Sequence, residues 1–116
     1  MKRLNKIAKR ITAYDETIEQ FIKECEDSDK FNWKQIDEIR GGFDDGLTIE
    51  QVKLYAKSDF DYEQMFTIRY GFKNGLTIEQ IKFYANPEFN SDQMWEIRRD
   101  FVNGLTIEEV KEKYSL

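Results

Sequence analysis

The chain predicts an all-α fold: a long N-terminal amphipathic helix followed by three tandem two-helix units stacked as a short solenoid. Three observations carry this. The phrase Gly-Leu-Thr-Ile-Glu begins at Gly46, Gly75 and Gly104, a period of 29 residues. Helix-start signals recur on the same period. Between them, apolar residues recur three and four positions apart, which is the spacing of one helix face. A fixed period of this size marks supersecondary units that bury their apolar faces on one another.

The first thirty residues stand outside the repeat. Leu4, Ile7, Ile11, Tyr14, Ile18, Phe21 and Cys25 alternate spacings of three and four. This heptad-like seam predicts one long helix, bent near Thr12-Ala13, that covers the end of the repeat stack; dimerisation through the seam is the alternative. The repeats follow at 31–59, 60–88 and 89–116, read as one compact unit.

Each repeat opens with a first helix, expected near 33–44, 62–73 and 91–102. The cap pairs are Asn32 with Gln35, Asp61 with Gln64, and Asn90 with Gln93. In such a capping box the cap side chain accepts from the third helical N–H and the Gln reaches back. The second helices, near 49–57, 78–86 and 107–114, carry Thr48 with Gln51, Thr77 with Gln80, and Thr106 with Glu109. An apolar residue precedes every cap (Phe31, Phe60, Phe89, Leu47, Leu76, Leu105), at the spacing of a hydrophobic staple. Gly46, Gly75 and Gly104 fit the left-handed position that ends a helix. The expected core is Ile36, Ile39 and Phe43 with their counterparts Met65, Ile68, Phe72 and Met94, Ile97, Phe101. From the second helices it adds Ile49, Val52 and Ala56, and Ile78, Ile81 and Ala85.

Composition narrows the function. Net charge is −5, unevenly spread. Residues 1–13 hold five bases (Lys2, Arg3, Lys6, Lys9, Arg10) and no acid, so this segment is where nucleic acid or an anionic surface would bind. The rest of the chain is acidic and repels phosphate. With one cysteine, Cys25, no internal disulfide forms, which fits a reducing, cytoplasmic setting. No apolar run is long enough for a membrane span. Histidine is absent, which removes the commonest zinc ligand and the usual general base. Asp27, Asp29 and Glu38 match three positions of a calcium loop, but Phe31 and Asn32 occupy positions that demand an oxygen ligand and a glycine. The expectation is a non-enzymatic protein with no cofactor and no metal.

Candidate binding residues lie along one flank of the first helices: Trp33, Asp37 and Arg40; Tyr62, Phe66 and Arg69; Trp95 and Arg98. The Ile-Arg pair is constant at 39–40, 68–69 and 97–98, while the position holding Asp37, Phe66 and Trp95 changes in every repeat. Variable residues on a constant scaffold set a repeat protein's binding preference, and Trp, Tyr and Arg anchor interfaces. The alternative is packing: aromatics filling the groove between helices, and arginines paired with acids such as Glu50, Glu79 or Glu108.

Tyr84-Ala-Asn-Pro-Glu-Phe-Asn, Gln93-Met-Trp-Glu-Ile-Arg and Asn103-Gly-Leu resemble a family of helical repeats from bacterial proteins, and the resemblance spans Phe31 to Val110. Tyr55-Ala-Lys-Ser-Asp-Phe departs from that pattern by lacking Pro. The resemblance implies cargo of phages, plasmids and conjugative elements, and no catalytic residues. It leads to the expectation of an inhibitor that docks on a host-defence protein such as a CRISPR effector, in the manner of anti-CRISPR proteins. Gly104-Leu-Thr-Ile-Glu-Glu-Val-Lys also resembles the opening of a resolvase-type helix-turn-helix, so a nucleic-acid-binding regulator is the second expectation. The acid that opens that helix argues against groove entry.

Overall fold

The computed structural model describes residues 15–116. Expectations resting on residues 1–14, including the basic cluster Lys2, Arg3, Lys6, Lys9 and Arg10, lie outside them. The described residues form seven helices and no strand: α1 (Glu16–Asp27), α2 (Trp33–Asp44), α3 (Ile49–Lys53), α4 (Tyr62–Lys73), α5 (Ile78–Tyr84), α6 (Ser91–Val102) and α7 (Ile107–Tyr114). The chain divides into two compact units at Ser58 and Asp59.

Local chemistry sets the helix starts. All six capping boxes form in both directions, including those built on Asn32, Asp61 and Asn90. A carbonyl or carboxylate oxygen therefore caps as completely as a Thr hydroxyl here. The three long helices span the residues the sequence predicts, as does α7. Gly46, Gly75 and Gly104 take positive φ of 87°, 79° and 96°, where a side chain would be strained.

Four expectations are corrected. The N-terminal helix does not run unbroken through the seam: Asp15 has extended backbone, and its carboxylate accepts from Ile18 N–H at 2.9 Å, so α1 starts at Glu16. The short helices end early. In α3, tight three-residue hydrogen bonds from Leu54 and Tyr55 close the chain after Lys53, and α5 ends at Tyr84, two residues before Asn86-Pro87. Ile49 is half-buried and Ile78 is exposed, while Ala56 and Ala85 are half-buried; they do not form the core. Phe72 is half-buried rather than buried.

The residues that replace them are Tyr55 and Tyr84, both fully enclosed. The early helix ends swing these rings inward. Tyr55 donates its hydroxyl to the Glu38 carbonyl at 2.7 Å, and Tyr84 donates to the Thr67 carbonyl at 3.3 Å. Each hydroxyl needs a glycine opposite. A Cβ on Gly42 would lie 2.0 Å from the Tyr55 oxygen, and one on Gly71 would lie 1.9 Å from the Tyr84 oxygen. Burial pushes the Tyr84 hydroxyl well above its ordinary pKa, the nearby Arg98 charge opposing only in part.

The third repeat solves the same problem differently. The position of Gly42 and Gly71 holds Asp100, and that of Tyr55 and Tyr84 holds Lys113. Asp100 is buried and accepts from Lys113 Nζ at 2.9 Å and from the Tyr114 hydroxyl at 2.5 Å. Burial works against ionisation of Asp100, but the two hydrogen bonds and the charges of Lys113 and Arg99 outweigh it and hold its carboxyl below the usual range.

In the first unit α1 and α3 both pack on α2. Its enclosed residues include Ile22, Cys25, Ile36, Ile39, Phe43 and Val52. Cys25 is thus a small core residue, and burial raises its thiol pKa, with Glu24 and Glu26 adding to the effect. In the second unit α4 packs along α6, α5 packs on both, and α7 packs on α6. Gln64 ties this unit together: besides capping α4, its amide donates to the carbonyls of Pro87 and Phe89 at 3.2 and 2.6 Å, just ahead of α6.

Candidate binding face on the second unit

Helices α4 and α6 run side by side, which brings their variable positions into register. Residues four and seven or eight apart share a helix face. On α4 these are Tyr62, Phe66, Arg69 and Tyr70, and on α6 they are Ser91, Trp95 and Arg98. Ser91 donates to the Glu63 carboxylate at 3.2 Å, which ties the two helix starts together.

The rings form a connected row. Phe66 lies 5.7 Å from Tyr70, and Tyr70 lies 5.5 Å from Trp95, both pairs tilted. Cations occupy the ring faces. The Arg69 guanidinium is 5.4 Å from Phe66, and the Arg98 guanidinium is 3.8 Å from Trp95 and 5.3 Å from Tyr70. Lys73 Nζ stands 6.0 Å from Tyr70. Aromatic pairs contribute about 0.5–1.5 kcal/mol and cation–π contacts about 0.5–2 kcal/mol, so the row holds its own geometry before any partner arrives.

Arg98 is 7% exposed. It donates to the Asn74 carboxamide, and its Nε has no acceptor among the described residues. Its positive charge is therefore seated on rings rather than on a carboxylate. Phe66 and Trp95 remain 37% and 39% exposed, so the row has one side against the unit and one side open.

The first unit treats its share of the candidate residues differently. Trp33 is 70% exposed, with Lys34 Nζ 5.6 Å from its ring. Asp37 is exposed. Arg40 pairs with Glu26 of α1 at 3.1 Å. The expected partners Glu50, Glu79 and Glu108 are thus not those of Arg40 and Arg98; Glu108 instead stands 3.8 Å from Lys111. Both ions of the Arg40 pair are over 40% exposed, so the contact contributes little to stability.

Tyr70, the ring that joins the two helices, was not among the sequence candidates. Its equivalents are Gly41 and Arg99, so the position varies in every repeat as Asp37, Phe66 and Trp95 do. That variation was the available signal.

Among the described residues no group of three or more His, Cys, Asp or Glu side chains is placed to hold a metal ion. No described helix is long and apolar enough to cross a membrane. Comparison of the chain with family models, with curated proteins and with solved structures finds no match.

Proposed function

We propose that the chain is a non-enzymatic binding protein that presents the Phe66–Tyr70–Trp95–Arg98 face to another protein. The observation that carries this reading is the row itself: two large aromatics more than a third exposed, held in place by a third ring and two guanidiniums. Interface hot spots are built from these residue types, because large rigid rings lose little conformational entropy on binding. The constant helix pairs then serve as a scaffold, stacked as a short solenoid, and the variable flank carries the specificity. The resemblance to mobile-element repeats extends the proposal to an inhibitor that docks on a host-defence protein such as a CRISPR effector, where a net charge of −5 suits a basic target.

The test changes Phe66 and Trp95 to Ala, singly and together, and follows partner binding and melting in parallel. Binding that falls tenfold or more with a melting point within about 3 °C of the wild type supports the face as an interface. A large fall in melting point with binding of the remaining folded protein unchanged assigns the row to packing. Tight, steeply salt-dependent binding to random duplex DNA would place the protein among nucleic-acid binders instead.

A further inference from the structure

The ring row of the second unit lies between two ends of opposite charge. Ser91 at the start of α6 bonds Glu63 at the start of α4, so the two helices run parallel. Their first halves, 61–67 and 90–96, hold four acids (Asp61, Glu63, Asp92, Glu96) and no base. Their last halves, 68–73 and 97–102, hold four bases (Arg69, Lys73, Arg98, Arg99) and one acid, Asp100. That acid is already taken, because Asp100 is buried and accepts from Lys113 and Tyr114 of α7. The helix dipoles place about half a positive charge at each start and about half a negative charge at each finish, which lessens the contrast without inverting it.

Two arginines define the positive end. Arg98 is buried against Trp95 and Tyr70. It donates to a neutral carboxamide, that of Asn74, and its Nε has no acceptor among the described residues, so no carboxylate balances its charge there. Arg99 is exposed and is the third-repeat counterpart of Tyr70, the ring that joins the row. It stands one helical turn, about 6 Å, beyond Trp95. Val102, also exposed, continues the same face of α6.

We propose that the partner meets this face with an acidic–apolar segment, which sets a large apolar side chain on Phe66 and Trp95 and a carboxylate on Arg99. This occupant presupposes that the face is a protein interface, and it adds the chemistry of what is bound. Charge complementarity selects it. A carboxylate at Arg99 accepts from an exposed guanidinium and also feels the charge of Arg98, which is shielded from water by the rings. A basic side chain in the same place would meet two like charges. Nucleic acid fits poorly, since a strand stacked along the rings would carry its phosphates toward Glu63, Asp92 and Glu96. The chain's net charge of −5 governs approach from a distance. Within a screening length of about 8 Å the local bases set the preference. The same asymmetry fixes how the segment lies: its acidic end is toward Lys73 and Val102 and away from Glu63.

The test selects a display library of random twelve-residue segments on the full chain, and the best binder is made as a fluorescent peptide. Asp or Glu within four positions of a Leu, Phe or Trp should be enriched about threefold or more, and changing those acids to Asn or Gln should weaken the peptide about tenfold. Arg99→Glu should weaken it about tenfold or more and Arg99→Lys less than about threefold, with melting temperatures alike. Binding that needs Phe66 and Trp95 but ignores both the peptide's acids and Arg99→Glu overturns the acidic segment and leaves the interface standing. Peptides held equally by wild type and Phe66→Ala/Trp95→Ala, or no segment recovered at all, overturn the interface as well. A single-stranded oligothymidylate that binds more tightly than the peptide and is lost in Arg99→Glu gives the face to nucleic acid instead.

Discussion

Gly71→Ala isolates the tightest fit in the second unit. Gly71 lies inside α4, where alanine ordinarily stabilises by about 0.5–1 kcal/mol. Here the new Cβ would lie 1.9 Å from the Tyr84 hydroxyl oxygen, 2.6 Å from Ile81 Cδ1 and 3.2 Å from Tyr84 Cζ. Tyr84 is fully enclosed, so its ring cannot move without disturbing its neighbours. Overpacking of this kind costs about 1–3 kcal/mol. Displacing the ring also breaks its hydrogen bond to the Thr67 carbonyl, roughly 1 kcal/mol more. Subtracting the alanine gain leaves a net loss of about 1–3 kcal/mol, or close to 4 °C in melting temperature per kcal/mol for a chain of this size. Urea and thermal unfolding followed by circular dichroism measure it. Tyr84→Phe removes the clashing oxygen, so the Gly71→Ala/Tyr84→Phe double variant should lose at least about 1 kcal/mol less than the sum of the singles. An unchanged or raised melting point for Gly71→Ala, or strictly additive singles, would refute the reasoning.

The remaining predictions use the same repeat logic. Asp100→Gly should destabilise, and adding Lys113→Tyr should recover part of the loss by recreating the glycine–tyrosine pair of the first two repeats; chemical denaturation of both variants checks this. The folded-state pKa of Asp100 is depressed, so its contribution is present above the ordinary carboxylate range and is lost as pH falls through the folded value. Stability should therefore decline below about pH 4, and Asp100→Asn should flatten that part of the curve. Asn90→Ala should cost about 1 kcal/mol by removing the α6 cap, and amide hydrogen exchange should show the loss concentrated in the first turn of α6.

How much of this was legible in the sequence depended on how local the cause is. Capping boxes, staples and the three turn glycines act within five residues, so Asn32, Asp61, Thr48 and Gly46 announce their roles without tertiary context. Tyr55 and Tyr84 were missed because their burial depends on the short helices ending early and on Gly42 and Gly71, each thirteen positions earlier in the chain and on a different helix. The heptad seam misled at Asp15: its spacing runs through the residue unbroken, but a single carboxylate capping Ile18 N–H sets the start of α1 at Glu16. On the binding face, Phe66, Arg69, Trp95 and Arg98 were legible as a variable flank beside a constant Ile-Arg pair. Their joining into one row was not, because it needs Tyr70 and the packing of α4 along α6. The opposite treatment of Arg40 and Arg98 was equally hidden: one meets Glu26 in water, and the other is seated on rings.

The most direct test of the central claim compares what wild type and the Phe66→Ala/Trp95→Ala variant retain from a bacterial lysate, with both proteins first shown to melt alike and the bound proteins identified by mass spectrometry. The account predicts a protein held by the wild type and lost with the two rings. The same protein retained equally by both, or retention only of nucleic acid that salt removes, would contradict it.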